Sequence, residues 1–394
     1  MKLLVLGAGV YQLPIIRRAR ALDHEVIVCS RPGGYPGFAE ASRCHYVDTT
    51  DAAGCLAIAR AEGIHGVASP GTDVSLGTLG VLVDALGLKG PRASATAITI
   101  DKSRMKACFL EAGIPTPRAI QAVDLEDARS AAASIGYPIM LKVVDSSGSR
   151  GIIKVLDEAT LPAAYADCLA ATRASHILVE EFVEGTEFGA QSFVQDGKIV
   201  FVMPHGDMVA NTDIATVPVG HFVPFPLPRA VEAQVQDIVA ATVRAVGLDD
   251  CALNFDFILR GEEVLVLEVG ARSGATCLSE MVSAHYGMDY YGWMIRAALG
   301  EAQEWDFQPG LAVAASLLTS PQTGLLRAIP APPTAPDVVD YAFDYAVGEC
   351  VRRFSVGPDR IGHVVVTAGG ASVATNRLRQ VLDSLHLSID RGQA

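Results

Sequence analysis

The sequence predicts an α/β protein of several domains that begins with a doubly wound parallel sheet. Residues 1–92 alternate short apolar strands with helical stretches, a pattern typical of parallel strands joined by helical crossovers. The chain has 394 residues, of which 50% are hydrophobic and 19% are charged. Because this length exceeds one ordinary core, we expect two or three domains with large apolar interiors, and we exclude a disordered protein.

The N-terminal segment, residues 1–92, supplies the pattern of the parallel sheet. We predict strands at Lys2–Leu6, Glu25–Cys29 and Gly66–Ser69, and helices at Tyr11–Leu22, Cys55–Glu62 and Val74–Leu86. A helix follows each predicted strand, and parallel strands need such a crossover to return to the same edge of the sheet.

Three further segments follow: residues 93–190 as a linker and an α/β unit, residues 191–310 as a strand-rich unit, and residues 311–394 as a small α+β unit. A helix is expected to start at Asp101, ahead of the breaker Ile114–Pro117. The predicted strands are Pro138–Val144, Ile152–Val155, His176–Phe182, Gly189–Val194, Lys198–Met203, Ala252–Leu259, Glu263–Val269 and Gly362–Ala368. The predicted helices are Asp124–Ile135, Thr160–Ala171, Ala230–Val246, Tyr286–Leu299 and Thr375–Leu385, the last capped by Thr375 or Asn376, and Ile329–Pro336 is predicted as a loop.

Charge and cysteine usage exclude several classes of protein. The net charge of −13 opposes a general nucleic-acid surface, which needs a basic footprint, but it leaves room for a nucleotide held locally. Eight cysteines without a Cys-x-x-Cys pair predict neither a disulfide framework nor a zinc site. The apolar stretches are too short for a membrane span, and the N-terminal one breaks at Gly7 and Gly9, unlike a signal peptide. We expect a cytoplasmic protein without nucleic-acid or membrane partners, and a homodimer is compatible with the sequence.

The turn Gly7-Ala8-Gly9 closes the first strand and opens a helix, which is half of a dinucleotide-binding fingerprint. Gln12 stands where the third glycine belongs, and the second strand ends at Cys29-Ser30-Arg31 without an acidic residue for the ribose. Since Ser30-Arg31 could instead hold a 2′-phosphate, an NADP-dependent reductase is one alternative. We favour a tight strand–helix turn beside a substrate pocket.

Lys142 stands inside a buried apolar strand, where a charge is costly unless it meets an anion. The small-residue loop Asp145–Gly151 follows at once, and such a loop brings backbone N–H groups close to phosphate oxygens. The lysine precedes the glycines, so this is not a Walker A loop. A plain hairpin turn after a strand with an end-on lysine is the alternative for this pattern alone.

The run Ile177–Glu187 is an apolar strand that ends in acidic residues and a glycine. This pattern fits a hinge at which backbone groups read an adenine edge and a carboxylate accepts hydrogen bonds from ribose hydroxyls. Taken alone, it also fits an ordinary strand followed by a solvated acidic turn.

Two carboxylates stand inside neighbouring apolar strands, Asp256 in Asn254–Phe257 and Glu268 in Leu265–Arg272. The turn Arg260-Gly261-Glu262 makes the strands a hairpin, which can place both carboxylates on one face. Two unpaired carboxylates would repel each other, and a hard divalent cation such as Mg²⁺ resolves the repulsion. Arg272 is a candidate clamp for phosphoryl or acyl phosphate oxygens.

In their order and spacing, these motifs resemble the ATP-grasp superfamily, which includes biotin carboxylase, the carbamoyl phosphate synthetase halves, D-alanine–D-alanine ligase and amino-acid ligases. The resemblance covers residues 1–300 and implies an ATP-grasp fold with ATP and Mg²⁺ as cofactors. It implies the following ATP-binding residues: Lys102, Lys142, Ser147, Gly148, Ser149 and Gly151 for the phosphates, and Glu180, Glu181, Phe182, Val183 and Glu187 for adenine and ribose. It implies Asp256 and Glu268 as Mg²⁺ ligands, and Arg272 and Lys142 as catalytic residues.

The resemblance also implies a reaction. An ATP-dependent ligase would activate a carboxylate as an acyl phosphate and pass it to an amine, releasing ADP and phosphate. Where many relatives have Glu-x-Asn, this chain has Glu268-Val-Gly270, so one metal contact would be either lost or supplied by water, with Asn254 as a candidate to help. The version Glu-x-Gly-Ala-Arg resembles bacterial L-amino-acid ligases, which favours an amino acid as the carboxylate.

Substrate specificity is expected from the strand-rich unit, where polar side chains interrupt apolar stretches. The candidates are His205, Asp207, Asn211, His221, Ser273 and Thr276. His205 and His221 stand in a stretch rich in proline, where a histidine more often has a structural role than a binding role. Three alternatives to the amine ligase stay open: a purine-carboxylase-like enzyme that uses bicarbonate and an amine, the reductase, and a non-catalytic nucleotide-binding subunit.

Overall fold

The computed structural model describes residues 1–145, 151–212, 216–301, 303–305 and 308–390. Within these residues the strands form four sheets, of four, four, eight and three strands. All eight cysteines are free thiols. No helix in these ranges is both long enough and apolar enough to cross a membrane.

The N-terminal domain is a parallel sheet covered on both faces, which confirms the fold predicted for it. Its elements are β1 (Lys2–Leu6), α1 (Leu13–Ala21), β2 (Glu25–Ser30), α2 (Gly37–Glu40), β3 (Arg43–Tyr46), α3 (Ala52–Glu62), β4 (Gly66–Ala68) and α4 (Leu76–Leu86). The strand order is β3-β2-β1-β4, and every pair is parallel. Leu3 and Val5 pack with α1, while Leu4 and Leu6 pack with α3 and α4 on the other face. Strand β3 was not predicted, because its sequence, Arg-Cys-His-Tyr, lacks the run of apolar residues found in the other strands of this sheet.

The next segment forms a separate four-stranded antiparallel sheet. It comprises α5 (Ala93–Thr99), α6 (Lys102–Glu111), β5 (Ala119–Ala122), α7 (Leu125–Ile135), β6 (Ile139–Val143), β7 (Ile152–Val155), α8 (Leu161–Ala170) and β8 (Ile177–Glu181). The strand order is β5-β8-β6-β7. Alternate residues of β6, Ile139, Leu141 and Val143, are fully buried against α7 and α8, which leaves Lys142 on the opposite face.

The remaining chain builds an eight-stranded antiparallel sheet with a three-stranded sheet beside it. The elements are β9 (Thr186–Gln195), β10 (Lys198–Asn211), β11 (Thr216–Val223), α9 (Arg229–Val246), β12 (Cys251–Arg260), β13 (Glu263–Gly270), α10 (Leu278–Tyr286), α11 (Tyr290–Ala298), β14 (Ala312–Leu318), β15 (Gly324–Ala328), β16 (Val338–Phe343), β17 (Cys350–Val351), a 3-10 turn (Gly357–Asp359), β18 (Gly362–Ala368), α12 (Ala371–Ser384) and β19 (Ser388–Asp390). The large sheet has the order β13-β12-β9-β10-β11-β14-β18-β16, and the small one β17-β15-β19.

The pairing of β11 with β14 continues one sheet from the strand-rich unit into the C-terminal segment. Strands β11, β14, β15 and β16 were not predicted, and β10 extends eight residues beyond the predicted end at Met203. Residue 190, taken as a boundary from the sequence, lies inside β9.

Two helix predictions were wrong in detail. The predicted helix Tyr286–Leu299 corresponds to α11, which starts four residues later, at Tyr290. Tyr286 is instead the last residue of α10, which ends where Gly287 adopts φ 63°. Helix α12 starts four residues before Thr375, with Gly370 as N-cap. Thr375 Oγ1 donates back to the carbonyl oxygens of Ala371 and Ser372, so its hydroxyl is used inside the helix and not at a cap.

Three local features position the candidate site. Helix α6 begins at Lys102, one residue after the predicted start, because Asp101 is its N-cap and accepts hydrogen bonds from the Ser103 and Arg104 N–H groups. The β12–β13 hairpin turns at Gly261, where φ is 63°. The N-terminal domain reaches the same region, since the Gly71 N–H lies 3.2 Å from the Ser273 carbonyl oxygen.

Candidate active site

A polar row crosses five strands of the large sheet, with polar side chains on four of them and a glycine on β9. In the strand register, Glu268 of β13 faces Asp256 of β12, Asp256 faces Gly189 of β9, and Gly189 faces His205 of β10. Two residues further along β10, Asp207 faces His221 of β11. Register partners and residues two apart lie on one face of a sheet, so these side chains share a face.

Asp256 and Glu268 stand directly opposite each other, as the hairpin predicted. Burial and the charge of Glu268 raise the pKa of Asp256 well above its ordinary value. Burial also opposes the charge of Glu268, but the Lys102 ammonium, which forms an ion pair with it, outweighs burial and lowers its pKa. Two facing carboxylates, one of which favours its proton, form a donor set that suits a divalent cation.

Asn254 lies across the hairpin from Gly270, the position at which a metal-binding asparagine was expected from the resemblance. Its Nδ2 is 3.3 Å from Asp256 Oδ1, and its Oδ1 accepts a hydrogen bond of 2.6 Å from Gln191 Nε2. Gln191 in turn accepts from the Gly274 N–H at 2.8 Å. Asn254 is therefore held beside the carboxylate pair, where the sequence hypothesis needed it.

Arg272 is fixed by Asp73, a residue of the N-terminal domain that sequence reasoning missed. Its Nε and Nη2 lie 2.9 and 2.8 Å from the two oxygens of Asp73. Burial opposes the charge of Arg272, but Asp73 outweighs it and raises the pKa of the guanidinium. A Cβ at Gly270 would lie 3.1 Å from Asp73 Oδ1 and 3.5 Å from Arg272 Cζ, so glycine leaves room for this ion pair.

Lys142 belongs to a buried triad of charges. The carboxylate of Glu180, which is only 1% exposed, forms an ion pair with Lys142 through one oxygen and lies 2.8 Å from Lys106 Nζ through the other. Burial opposes the charge of Glu180, but both ammonium groups outweigh it and lower its pKa. Burial lowers the pKa of Lys106 to about 8. The sequence did not single out Lys106. Its assignment of Glu180 to adenine binding stays a prediction; in the structure both carboxylate oxygens of Glu180 contact lysines.

The other residues expected at adenine and ribose lie around the end of β8. The Glu181 carboxylate forms ion pairs with Arg118 and Arg260. The backbone N–H of Glu181 donates to the Arg118 carbonyl oxygen at 2.8 Å. The N–H of Phe182 lies 3.4 Å from the Pro138 carbonyl oxygen, whereas the N–H of Val183 has no acceptor among the described residues. Glu187 is exposed at the start of β9, two residues before Gly189 and so on the face of the polar row.

The phosphate loop is only partly described. Ser147, Gly148 and Ser149 lie outside the described residues. Gly151 closes the loop at φ 68°, and its carbonyl oxygen accepts from the Val143 N–H at 3.1 Å. The hairpin of β6 and β7 on either side confirms that the loop joins two paired strands.

A cavity of about 730 Å³ lies beside the carboxylate pair, between the N-terminal domain and the large sheet. The residues that line it and matter here are Lys102, Glu268, Arg272, Asp73 and Asn254.

The six expected substrate residues divide into three groups. His205, Asp207 and His221 lie together in the polar row. Ser273 and Thr276 follow Arg272; Ser273 is buried with no partner for its Oγ among the described residues, and Thr276 adopts φ 57°. Asn211 is at the end of β10, where its Oδ1 accepts from Thr216 Oγ1 at 2.8 Å.

The N-terminal glycine turn is filled by the protein itself. Gln12 Oε1 accepts from the Gly9 N–H at 3.1 Å, and Gln12 Nε2 donates to the Pro70 carbonyl oxygen at 2.7 Å. Arg31, the residue that could have held a 2′-phosphate, forms an ion pair of 2.6 Å with Asp48. These contacts favour the tight-turn interpretation over a dinucleotide site.

Comparison with known proteins identifies the family of the chain. Residues 135–280 match the model of the ATP-grasp domain, and residues 316–390 match L-amino acid ligase C-terminal domain 2. The D-alanine–D-alanine ligase of Desulforudis audaxviator is 30% identical over 209 residues, which are 50% of this chain and 67% of that protein. The chain belongs to the ATP-grasp family.

Two further comparisons span nearly the whole chain. Uncharacterized protein y4rH of Sinorhizobium fredii is 27% identical over 394 residues, covering 95% of this chain and 79% of that protein. The crystal structure of phosphoribosylglycinamide synthetase from Anaerococcus prevotii has a TM-score of 0.85, with 27% identity over 99% of both chains. The chain is an ADP-forming ATP-grasp ligase that joins a carboxylate to an amine, and the predicted fold class is confirmed.

The Lys106–Glu180–Lys142 triad predicts a large stability effect. Glu180→Gln leaves two lysines facing each other without an anion, so we expect it to lower the free energy of unfolding by about 3–5 kcal/mol. Glu181→Gln is the matched control, since its half-exposed ion pairs should contribute less than about 1 kcal/mol. Urea denaturation measures both. Equal stability of the two variants would show that the triad does not stabilise the fold.

The Asp73–Arg272 ion pair predicts an effect on turnover. Asp73→Asn removes the charge that holds the guanidinium in place, and we expect ATP turnover, followed as ADP release, to fall about tenfold or more, with partial recovery in Asp73→Glu. Asp84→Asn, which changes an exposed carboxylate that contacts Arg92 and the Ala93 N–H, should keep wild-type turnover. Wild-type turnover in Asp73→Asn would mean that Arg272 needs no partner.

Proposed function

We propose that the enzyme activates the carboxylate of an amino acid and joins it to an amine, releasing ADP and phosphate. The observation that carries the chemistry is the Asp256–Glu268 pair, which lies with Lys102 and Arg272 beside one cavity. The match of residues 316–390 to an L-amino acid ligase domain supports an amino acid as the carboxylate.

Phosphate binding is proposed for the lysines that border the site. Lys102 and Lys142 each hold a carboxylate, and each could exchange part of that contact for a phosphate oxygen of ATP. Mg²⁺, when bound by Asp256 and Glu268, would neutralise phosphate charge and make the γ-phosphorus easier to attack. Asn254 would then orient Asp256 through its amide N–H.

In the proposed first step, a carboxylate oxygen of the substrate attacks the γ-phosphorus and the bond to ADP breaks. Arg272 would stabilise the charge on the acyl phosphate, because Asp73 fixes one edge of its guanidinium, and among the described residues Nη1 contacts only the Ser273 carbonyl oxygen, at 3.3 Å. In the second step the amine nitrogen attacks the acyl carbon, loses a proton, and phosphate leaves.

The proposed function predicts a specific set of products. With ATP, Mg²⁺ and pooled amino acids, we expect ADP and phosphate, and hydroxylamine should capture the activated carboxylate as an amino-acid hydroxamate. Chromatography of the nucleotides and the colour of the ferric hydroxamate measure both. A preparation of Lys142→Ala, which we expect to be at least about tenfold slower, is the control for contaminating activity.

Other outcomes would replace the proposal. AMP as nucleotide product would contradict acyl phosphate chemistry. ADP release that depends on bicarbonate, without any hydroxamate, would support a carboxylating enzyme. Consumption of reduced nicotinamide would support the reductase.

The carboxylate pair predicts metal dependence. Asp256→Asn and Glu268→Gln should each abolish Mg²⁺-dependent turnover, because one remaining carboxylate is a weak site for a divalent cation. Nucleotide should still bind, and calorimetric titration can measure this. Glu263→Gln, at the exposed start of β13, is the matched control and should behave as wild type. Full activity of either pair variant at limiting Mg²⁺ would place the metal elsewhere.

A further inference from the structure

The cluster His205–Asp207–His221 has a geometry that the proposed reaction has not used. His205 Nδ1 and His221 Nδ1 lie 3.1 and 2.6 Å from the same oxygen of Asp207, Oδ1. The two imidazole rings meet edge to face, with centroids 4.9 Å apart. Two rings on adjacent strands therefore hold one carboxylate from the same side.

The protonation states follow from these contacts. Burial opposes the charge of Asp207, but the two histidines outweigh it and hold the pKa of this carboxyl well below its usual range. An ionised carboxylate can only accept hydrogen bonds, so both imidazoles must donate Nδ1–H to it. Burial lowers the pKa of His205 and favours its neutral form. Asp207 thus keeps a negative charge although it is well hydrogen-bonded.

The cluster is open to a ligand only at Asp207. The side chains of His205 and His221 are 2% and 5% exposed, whereas that of Asp207 is 30% exposed. Oδ1 accepts from both rings, and Oδ2 has no hydrogen-bond partner within the described part of the chain. The available group is one oriented carboxylate oxygen, which suits a cation that can donate hydrogen bonds.

A transition metal bound by the three residues fits the contacts less well. Metal ligation through Nδ1 of His205 would leave its Nε2 with a proton that needs an acceptor. That Nε2 is buried and has no partner among the described residues. It lies over Gly189, where a Cβ would be 2.6 Å from it. An unprotonated His205 Nε2 at this position is consistent with a ring that donates its Nδ1–H to Asp207.

The polar row connects this carboxylate to the reacting centre. Asp207 shares its face with Asp256 and Glu268. At the level of the backbone it lies two strand spacings across and two residues along from Asp256, a separation of roughly 12 Å. A small molecule with an anionic and a cationic end could therefore place its carboxylate at the metal pair and its cation at Asp207.

We propose that Asp207 binds the α-ammonium group of the amino acid whose carboxylate is activated, and that His205 and His221 are positioning residues that fix its orientation. This assignment rests on the proposed function. It explains how the site would distinguish an amino acid from a simple carboxylic acid, and it places that selection on β10, outside the nucleotide-binding residues.

The test uses hydroxylamine as the only amine, so that recognition of the activated acid is measured alone. Each of the twenty L-amino acids is assayed with full-length wild-type enzyme, and the best donor is then compared with the same acid lacking the amino group, such as propionate for L-alanine. We expect Asp207→Asn to raise KM for the amino acid about tenfold or more while KM for the des-amino acid and kcat change little, as loss of one charge-assisted contact should. His221→Phe should also raise KM for the amino acid relative to KM for the des-amino acid.

The matched control is Asp340→Asn, which removes a carboxylate held at 3.0 Å by His363 in the C-terminal segment. It should leave both KM values as in wild type. An unchanged preference for the amino acid in Asp207→Asn would overturn the assignment, as would an equal loss on both acids. Stoichiometric zinc in the purified wild type, lost in Asp207→Asn, would overturn it in favour of a metal site. Absence of any hydroxamate with wild type would contradict the proposed function itself.

Discussion

The site depends on one constraint: two carboxylates, Asp256 and Glu268, are held opposite each other inside a hairpin. Neither strand can slide, because a shift of one residue would turn every apolar side chain of β12 and β13 to the wrong face. The repulsion therefore cannot be relieved by movement of the backbone. It is relieved locally by Lys102, by the proton that Asp256 favours, and by a cation when one binds.

The surrounding charges follow the same logic of pairing across units. Lys102 comes from the start of α6, Arg272 from the end of β13, and its partner Asp73 from the N-terminal domain. Each of these charged groups is buried enough to need its partner. The ion pairs form only when the units pack together correctly, and the same packing therefore orients the residues of the site. Gly270 belongs to this arrangement, because a larger residue would press on the Asp73–Arg272 pair.

The features that could be predicted from the sequence are those that depend on residues close together in the chain. The parallel N-terminal sheet, the start of α6 at Asp101 and the facing of Asp256 and Glu268 follow from periodicity, a cap and a two-residue turn. The sequence did not predict Asp73, which lies 199 residues from Arg272, because nothing local marks a partner so far away. Lys106 was missed because a lysine in a helix with several polar residues is expected at the surface. Only the tertiary structure shows that it is buried against Glu180.

The union of β11 with β14 limits how this enzyme can be divided or recombined. Since the C-terminal segment supplies three strands of the sheet that carries the polar row, removing it would leave β11 as a bare edge with unpaired backbone groups. A chimera with a related ligase, joined between β11 and β14, would have to match strand register, and not only surface shape, across the joint. Exchange of the N-terminal domain makes a different demand: its replacement must bring an acid to the position of Asp73.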